Sequence, residues 1–324
     1  MSAYKLYSCL AKPIEHLIKL RRLSGTDYAS QTRLLEYFDH FLVEQKLTEP
    51  RLSREIIEAY QQSLAGLAPR SRGNRFCVVH QLCEYLARTD PLSYVPEPLR
   101  TPSSYAAHTP YIYSRNEIRA LLAAASELSP PGSLRPQTYR TLLGLLYSTG
   151  IRIGEAFALN IEHFLPAEQR LYIAEGKFRK ARWIALSDST CRALQHYLER
   201  RLAKTPRSPD APLLLNERGR RLCHPTVSQA FKYLLNQCGI AGHGRAGPCI
   251  HHIRHTFAVH RLLAWYRDGQ DVNARLPALA TYMGHVDVSS THVYLRPTAE
   301  LLGEVHHRFH NHFLKNLSSP GEPS

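Results

Sequence analysis

The chain has 324 residues, a length that suggests about two domains of ordinary size, and 44% of those residues are hydrophobic, enough for two cores. No apolar run reaches the roughly 18 residues of a membrane span, residues 1–12 lack a signal-peptide pattern, and seven cysteines without a Cys-x-x-Cys pair argue against a disulfide framework or a Cys-ligated zinc, so a cytoplasmic protein without membrane partners is expected. Lys and Arg outnumber Asp and Glu 41 to 27, and the net charge of +14 favours a polyanionic partner. Along the first hundred residues, Leu34, Leu35, Phe38, Phe41 and Leu42 recur at helical spacing, as do Ile56, Ile57, Tyr60 and Leu64, and then Phe76, Val79, Leu82, Cys83 and Leu86. This predicts a bundle of short amphipathic helices over residues 1–95, with Cys77 and Cys83 in its core. Five prolines between Asp90 and Pro110 mark residues 96–110 as a linker.

A second domain is expected over residues 111–324. It opens with Ser114 and Glu117, a capping box ahead of Ile118, Leu121 and Leu122. A helix is predicted from Tyr139 to Ser148, stopping at Gly150. Residues 170–174 and 181–186 alternate in character and predict a β-hairpin, with a basic tip at 175–180. The remainder reads as helical, and Leu301, Leu302, Val305, Phe309, Phe313 and Leu317 form an apolar stripe on a predicted C-terminal helix. The expected fold class is mainly α with a small β-sheet. The positive charge gathers in this half: 14 basic side chains face 11 acidic ones in residues 1–100, against 27 and 16 thereafter.

The polar residues that stand out are ordinary one at a time. Arg152 and Glu155 lie three apart in TGIRIGEA (149–156) and share a helix face. Lys177 lies in GKFRKARWIALS (176–187), His251 and Arg254 in HHIRHTFAVH (251–260), and His285 in YMGH (282–285), with Tyr294 nine residues further on. Gly242 to Gly247 fits G-x-G-x-x-G, but a helical stretch precedes it and Pro248 follows, so it reads as a loop rather than a dinucleotide site. His251, His252 and His255 lack the H-E-x-x-H carboxylate, and Arg254 among them would oppose a cation.

Taken in order, these five segments resemble the tyrosine recombinase, or phage integrase, family over the whole second domain, and the helical first domain is similar to that family's SAM-like core-binding domain. The resemblance implies a site-specific DNA recombinase that serves DNA integration or transposition. It would break and rejoin strands through a covalent 3′-phosphotyrosine on Tyr294. Arg152 and Arg254 would bind the non-bridging phosphate oxygens, His251 would act in proton transfer, Lys177 would protonate the leaving 5′ oxygen, and His285 would contact the phosphate and buttress the nucleophile. Glu155 would support the site. No cofactor and no metal is implied. The partners implied are double-stranded DNA, further copies of the chain in a synaptic tetramer, and possible sister recombinases. A type IB topoisomerase and a DNA-binding regulator without catalysis are the alternatives.

Overall fold

The structure is a computed structural model, described over residues 5–99, 110–174, 181–203, 208–241 and 247–284. It divides into two compact units, Met1–Thr109 and Pro110–Ser324. The basic tip of the hairpin, the glycine loop after Ala241 and the C-terminal apolar stripe lie outside the described residues. Among the described residues no helix is long and apolar enough to cross a membrane.

The first unit contains α1 (Ala11–Leu23), α2 (Ala29–Glu44), α3 (Arg54–Ser63) and α4 (Pro69–Ala87). Ser53 caps α3 by accepting from the Ile56 backbone, and Pro69 opens α4 where its missing N–H is not needed. Ile14 and Ile18 of α1, Leu35, Phe38 and Leu42 of α2, Ile57 and Tyr60 of α3, and Val79, Leu82 and Cys83 of α4 make one core. Each large apolar side chain withdrawn there contributes roughly 1.5–3 kcal/mol. Cys77 departs from expectation and is exposed, because α4 turns the face that carries Phe76, Val79 and Cys83 inward. Asp39 is fully buried in the middle of α2. Its carboxylate accepts from the backbone N–H groups of Tyr7 and Ser8, at 2.6 and 3.1 Å, and from the Ser8 hydroxyl. Those donors tie the start of the chain to the bundle and make a buried carboxylate tolerable.

The second unit contains α5 (Arg115–Ser126), α6 (Arg135–Thr149), α7 (Ile153–Ala158), β1 (Phe164–Leu165), β2 (Arg170–Ile173), β3 (Arg182–Ala185), α8 (Asp188–Leu202), α9 (His224–Gln237), α10 (His251–Arg267) and α11 (Val272–Met283). Ser114 and Glu117 form the expected capping box on α5. The helix expected from Tyr139 begins earlier, at Arg135, with Pro136 in its first turn. Helix α6 is central: it packs against α5, α7, α8 and α10. The expected hairpin is β2 and β3, paired antiparallel with Leu171 opposite Ile184 and Tyr172 opposite Trp183, and the two-residue β1 adds a third strand beside β2. Leu171, Ile173 and Ile184 fill the core, so the alternate residues Tyr172 and Trp183 meet on the outer face, their rings tilted at 45° with centroids 4.8 Å apart. A separate apolar cluster joins α10 to α11 through Phe257, Leu262, Leu276 and Met283.

Candidate active site

Helix α6 ends at Gly150, which takes a left-handed conformation (φ +63°). A Cβ on Gly150 would overlap the Phe257 ring at Cδ1, so both the backbone and the space demand glycine here. The turn delivers Arg152 to the position just before α7, with Glu155 one turn further along. Glu155 is buried (5% exposed) and its carboxylate accepts from the Arg152 backbone N–H and from Nη1 of Arg152, both at 2.9 Å.

Arg254 lies one turn into α10 and is 3% exposed. Its Nη1 donates to the Gly150 carbonyl, and Nη2 donates to the Met283 carbonyl at 2.7 Å. Arg152 reaches the same place from α7, with Nη2 donating to the Gly284 carbonyl at 2.7 Å. A helix C-terminus presents carbonyls with no partner inside the helix and a partial negative charge. Two guanidiniums, from α7 and α10, therefore cap the end of α11. Gly284, the residue that ends α11, is also left-handed (φ +71°).

A third arginine belongs to this cluster and escaped the sequence analysis. Arg182 of β3 donates from Nη1 and Nη2 to both Glu155 oxygens, at 3.0 and 2.8 Å, and from Nε to the Tyr282 carbonyl at 2.9 Å. The signal that could have found it is the strand alternation, which places Arg182 on the same face as the core residue Ile184. Burial by itself would raise the Glu155 carboxyl, but the hydrogen bonds from Arg182 and Arg152 outweigh it and hold the pKa below the ordinary glutamate range.

His251 opens α10, three residues before Arg254, so the two share a face. Its pKa is lowered, by the atoms packed about the ring first and then by the charges of Arg254, His252, Arg152 and His224. The residue as a whole remains exposed, so the neighbouring charges are the firmer of those causes. The start of α10 is anchored from behind: the Tyr113 hydroxyl donates to the Cys249 carbonyl at 3.0 Å, and the Tyr113 backbone donates to the Thr256 hydroxyl at 3.0 Å.

Of the residues singled out in the sequence, Arg152, Glu155, His251 and Arg254 thus gather at the junction of α6, α7, α10 and α11. Lys177, His285 and Tyr294 lie outside the described residues. Among the described residues there is no group of three or more His, Cys, Asp or Glu side chains arranged to hold a metal. The arrangement offers an excess of guanidinium charge held in fixed orientation by Glu155 and the backbone carbonyls, with a neutral imidazole beside it.

The model of the phage integrase family matches residues 113–300. A protein of Sinorhizobium fredii described as an integrase/recombinase is 33% identical over 93% of this chain and 97% of its own length. The tyrosine recombinase XerD of Caulobacter vibrioides is 32% identical over 78% of this chain and 79% of its own. Among solved structures, the Tn1549 transposon integrase in complex with transposon right-end DNA aligns with a TM-score of 0.65 at 16% identity, covering 93% of this chain and 99% of that one. The XerH site-specific recombinase bound to palindromic difH substrate, in a post-cleavage complex, aligns at a TM-score of 0.62 and 19% identity, covering 89% of this chain and 81% of that one. The fold of the chain is theirs, and by family model and sequence alike the chain belongs to the phage integrase family of tyrosine recombinases.

Proposed function

We propose that this protein is a site-specific DNA recombinase that cuts and rejoins strands through Tyr294, in the service of DNA integration or transposition. The observation that carries this reading is the convergence of Arg152 and Arg254 on adjacent carbonyls at the end of α11. Two forked donors fixed side by side suit the two non-bridging oxygens of a phosphodiester and the charge that grows on them in the transition state. His285 directly follows that helix end and Tyr294 comes nine residues later. A phenol is mostly protonated at pH 7, so it needs a proton acceptor. A lowered pKa keeps His251 neutral and able to accept.

In the proposed step the Tyr294 oxygen bonds to phosphorus and its proton passes to His251. The bond from phosphorus to the 5′ oxygen breaks, and Lys177 gives that oxygen a proton. The strand is left with a 3′-phosphotyrosine and a 5′ hydroxyl, and attack by a partner strand's 5′ hydroxyl reverses the step without ATP. Residues 1–95 would grip double-stranded DNA, with 96–110 as linker and 111–324 as catalytic domain. Further copies of the chain would assemble as a synaptic tetramer, alone or with sister recombinases, in the cytoplasm. The relatives described as recombinases and the DNA-bound structures of the same fold support that reading.

The test is covalent trapping. DNA trapped on the wild-type protein in cells is sequenced, and a nicked duplex of that sequence is offered to wild type and to Tyr294→Phe. A covalent band with wild type alone, and similar DNA affinity in both, is the expected result. A covalent band from the Phe variant would remove Tyr294 from the reaction.

A further inference from the structure

Arg182 touches more of the site than a structural ion pair requires. Its side chain is 12% exposed, and it stands on β3 opposite Ile173, five residues after Lys177 in sequence. One edge of its guanidinium holds both oxygens of Glu155, the carboxylate that orients Arg152. Its Nε holds the Tyr282 carbonyl, and Nη2 also approaches the Met283 carbonyl at 3.4 Å. The fit is close on the far side as well: a Cβ on Gly284 would lie 2.8 Å from the Arg182 guanidinium carbon, so glycine at the end of α11 makes room for this side chain.

We propose that Arg182 is a positioning residue for strand cleavage, whose single guanidinium locks β3, the Glu155–Arg152 pair and the end of α11 in register. The proposal rests on the reading of Arg152, Lys177 and Tyr294 given above. Each joined element carries or adjoins a reacting group. Lys177 lies in the connection that leads into β3, Arg152 precedes α7, and His285 and Tyr294 follow α11. Glu155 can aim Arg152 only if the carboxylate itself cannot rotate, and the two parallel bonds from Arg182 prevent that. Without Arg182 the buried carboxylate would have Arg152 as its remaining side-chain partner in this network. That guanidinium would be drawn onto Glu155 and away from the α11 carbonyl beside the phosphate position. A lysine keeps the charge but not the planar fork, so it cannot hold both oxygens and a carbonyl together.

The test compares Arg182→Gln, Arg182→Lys, Glu155→Gln and the Arg182→Gln/Glu155→Gln double variant, as full-length proteins, on a nicked duplex of the sequence trapped by wild type. DNA affinity, the rate of covalent complex formation at saturating protein, and thermal melting are measured. A displacement of about an ångström in such a site costs about a hundredfold in rate. We therefore expect about a hundredfold slower cleavage for the Gln variant and about tenfold for the Lys variant, with affinity unchanged. In the Glu155→Gln background, Arg182→Gln should add less than about tenfold, because much of its effect passes through Glu155.

Cleavage by Arg182→Gln within about threefold of wild type, a defect confined to DNA affinity, or full multiplication of the two effects in the double variant would each overturn the proposal. If Arg182→Gln does not fold, Arg182→Lys carries the same criterion, and wild-type cleavage by that variant overturns it. Absence of any covalent complex with wild type would instead overturn the reading of Tyr294, and this proposal with it. A wild-type complex with undiminished variant cleavage overturns only the role of Arg182.

Discussion

Replacing Glu155 with glutamine tests how much the arginine cluster contributes to the fold. The carboxylate accepts four hydrogen bonds, two from Arg182 and two from Arg152, and its side chain is 4% exposed. Glutamine offers one oxygen in place of two and turns an amide N–H₂ toward N–H donors. Removing one partner of a buried ion pair costs about 3–5 kcal/mol. The lower end applies here, because Arg152 is 23% exposed and can rehydrate. About 3 kcal/mol corresponds to a fall of roughly 6–12 °C in melting temperature, at about 2–4 °C per kcal/mol for a domain of some 150–250 residues. The loss should also depend on pH. The folded-state pKa of Glu155 lies below its unfolded value, which is about 4.3 for glutamate. The stabilisation is therefore fully present above the unfolded value and is lost as pH falls through the folded one. Calorimetric melts of both proteins should show a difference that is constant from about pH 7 to pH 5 and narrows below the ordinary glutamate range. A variant that melts within about 2 °C of wild type, or a gap that widens on acidification, would refute this account of the cluster.

Gly150→Ala forces a Cβ into the Phe257 ring from a left-handed backbone, at a combined cost of about 2–5 kcal/mol. It should melt well below wild type and lose cleavage as the carbonyl that receives Arg254 moves; an unchanged melt would refute the close approach. With His251 as proton acceptor, the cleavage rate at subsaturating protein should fall with pH only below about 6.5, and His251→Gln should remove that limb. A limb centred above pH 7 would argue against it. Lys177→Ala should be rescued by a 5′-bridging phosphorothiolate, whose leaving group needs no proton, while Arg152→Ala should not; equal rescue of both would take the general-acid role from Lys177.

Local pattern carried much of this molecule. The apolar spacing around Leu35, Phe38 and Leu42, the Ser114–Glu117 box and the alternation through Leu171 and Ile184 each depend on neighbours a few residues away, so they could be read along the chain. The pairs Arg152 with Glu155 and His251 with Arg254 were legible for the same reason, since three residues make one helical turn. A helical period alone put Cys77 in the core, yet which neighbouring positions of α4 face inward depends on the helices packed against it. What tertiary structure decided was the partner of each buried polar group. Arg182 is one basic residue among many between Lys177 and Arg221, and strand alternation places it on the inward face without naming its partner. It matters because β3 packs against the end of α11, a hundred residues on, where Tyr282 and Met283 present open carbonyls. Asp39 shows the same limit, because its buried carboxylate is satisfied by Tyr7 and Ser8, which its own helix cannot supply. Hydrophobic periodicity reports which face of an element turns inward. Which donor meets which acceptor there is set only when distant segments close on one another.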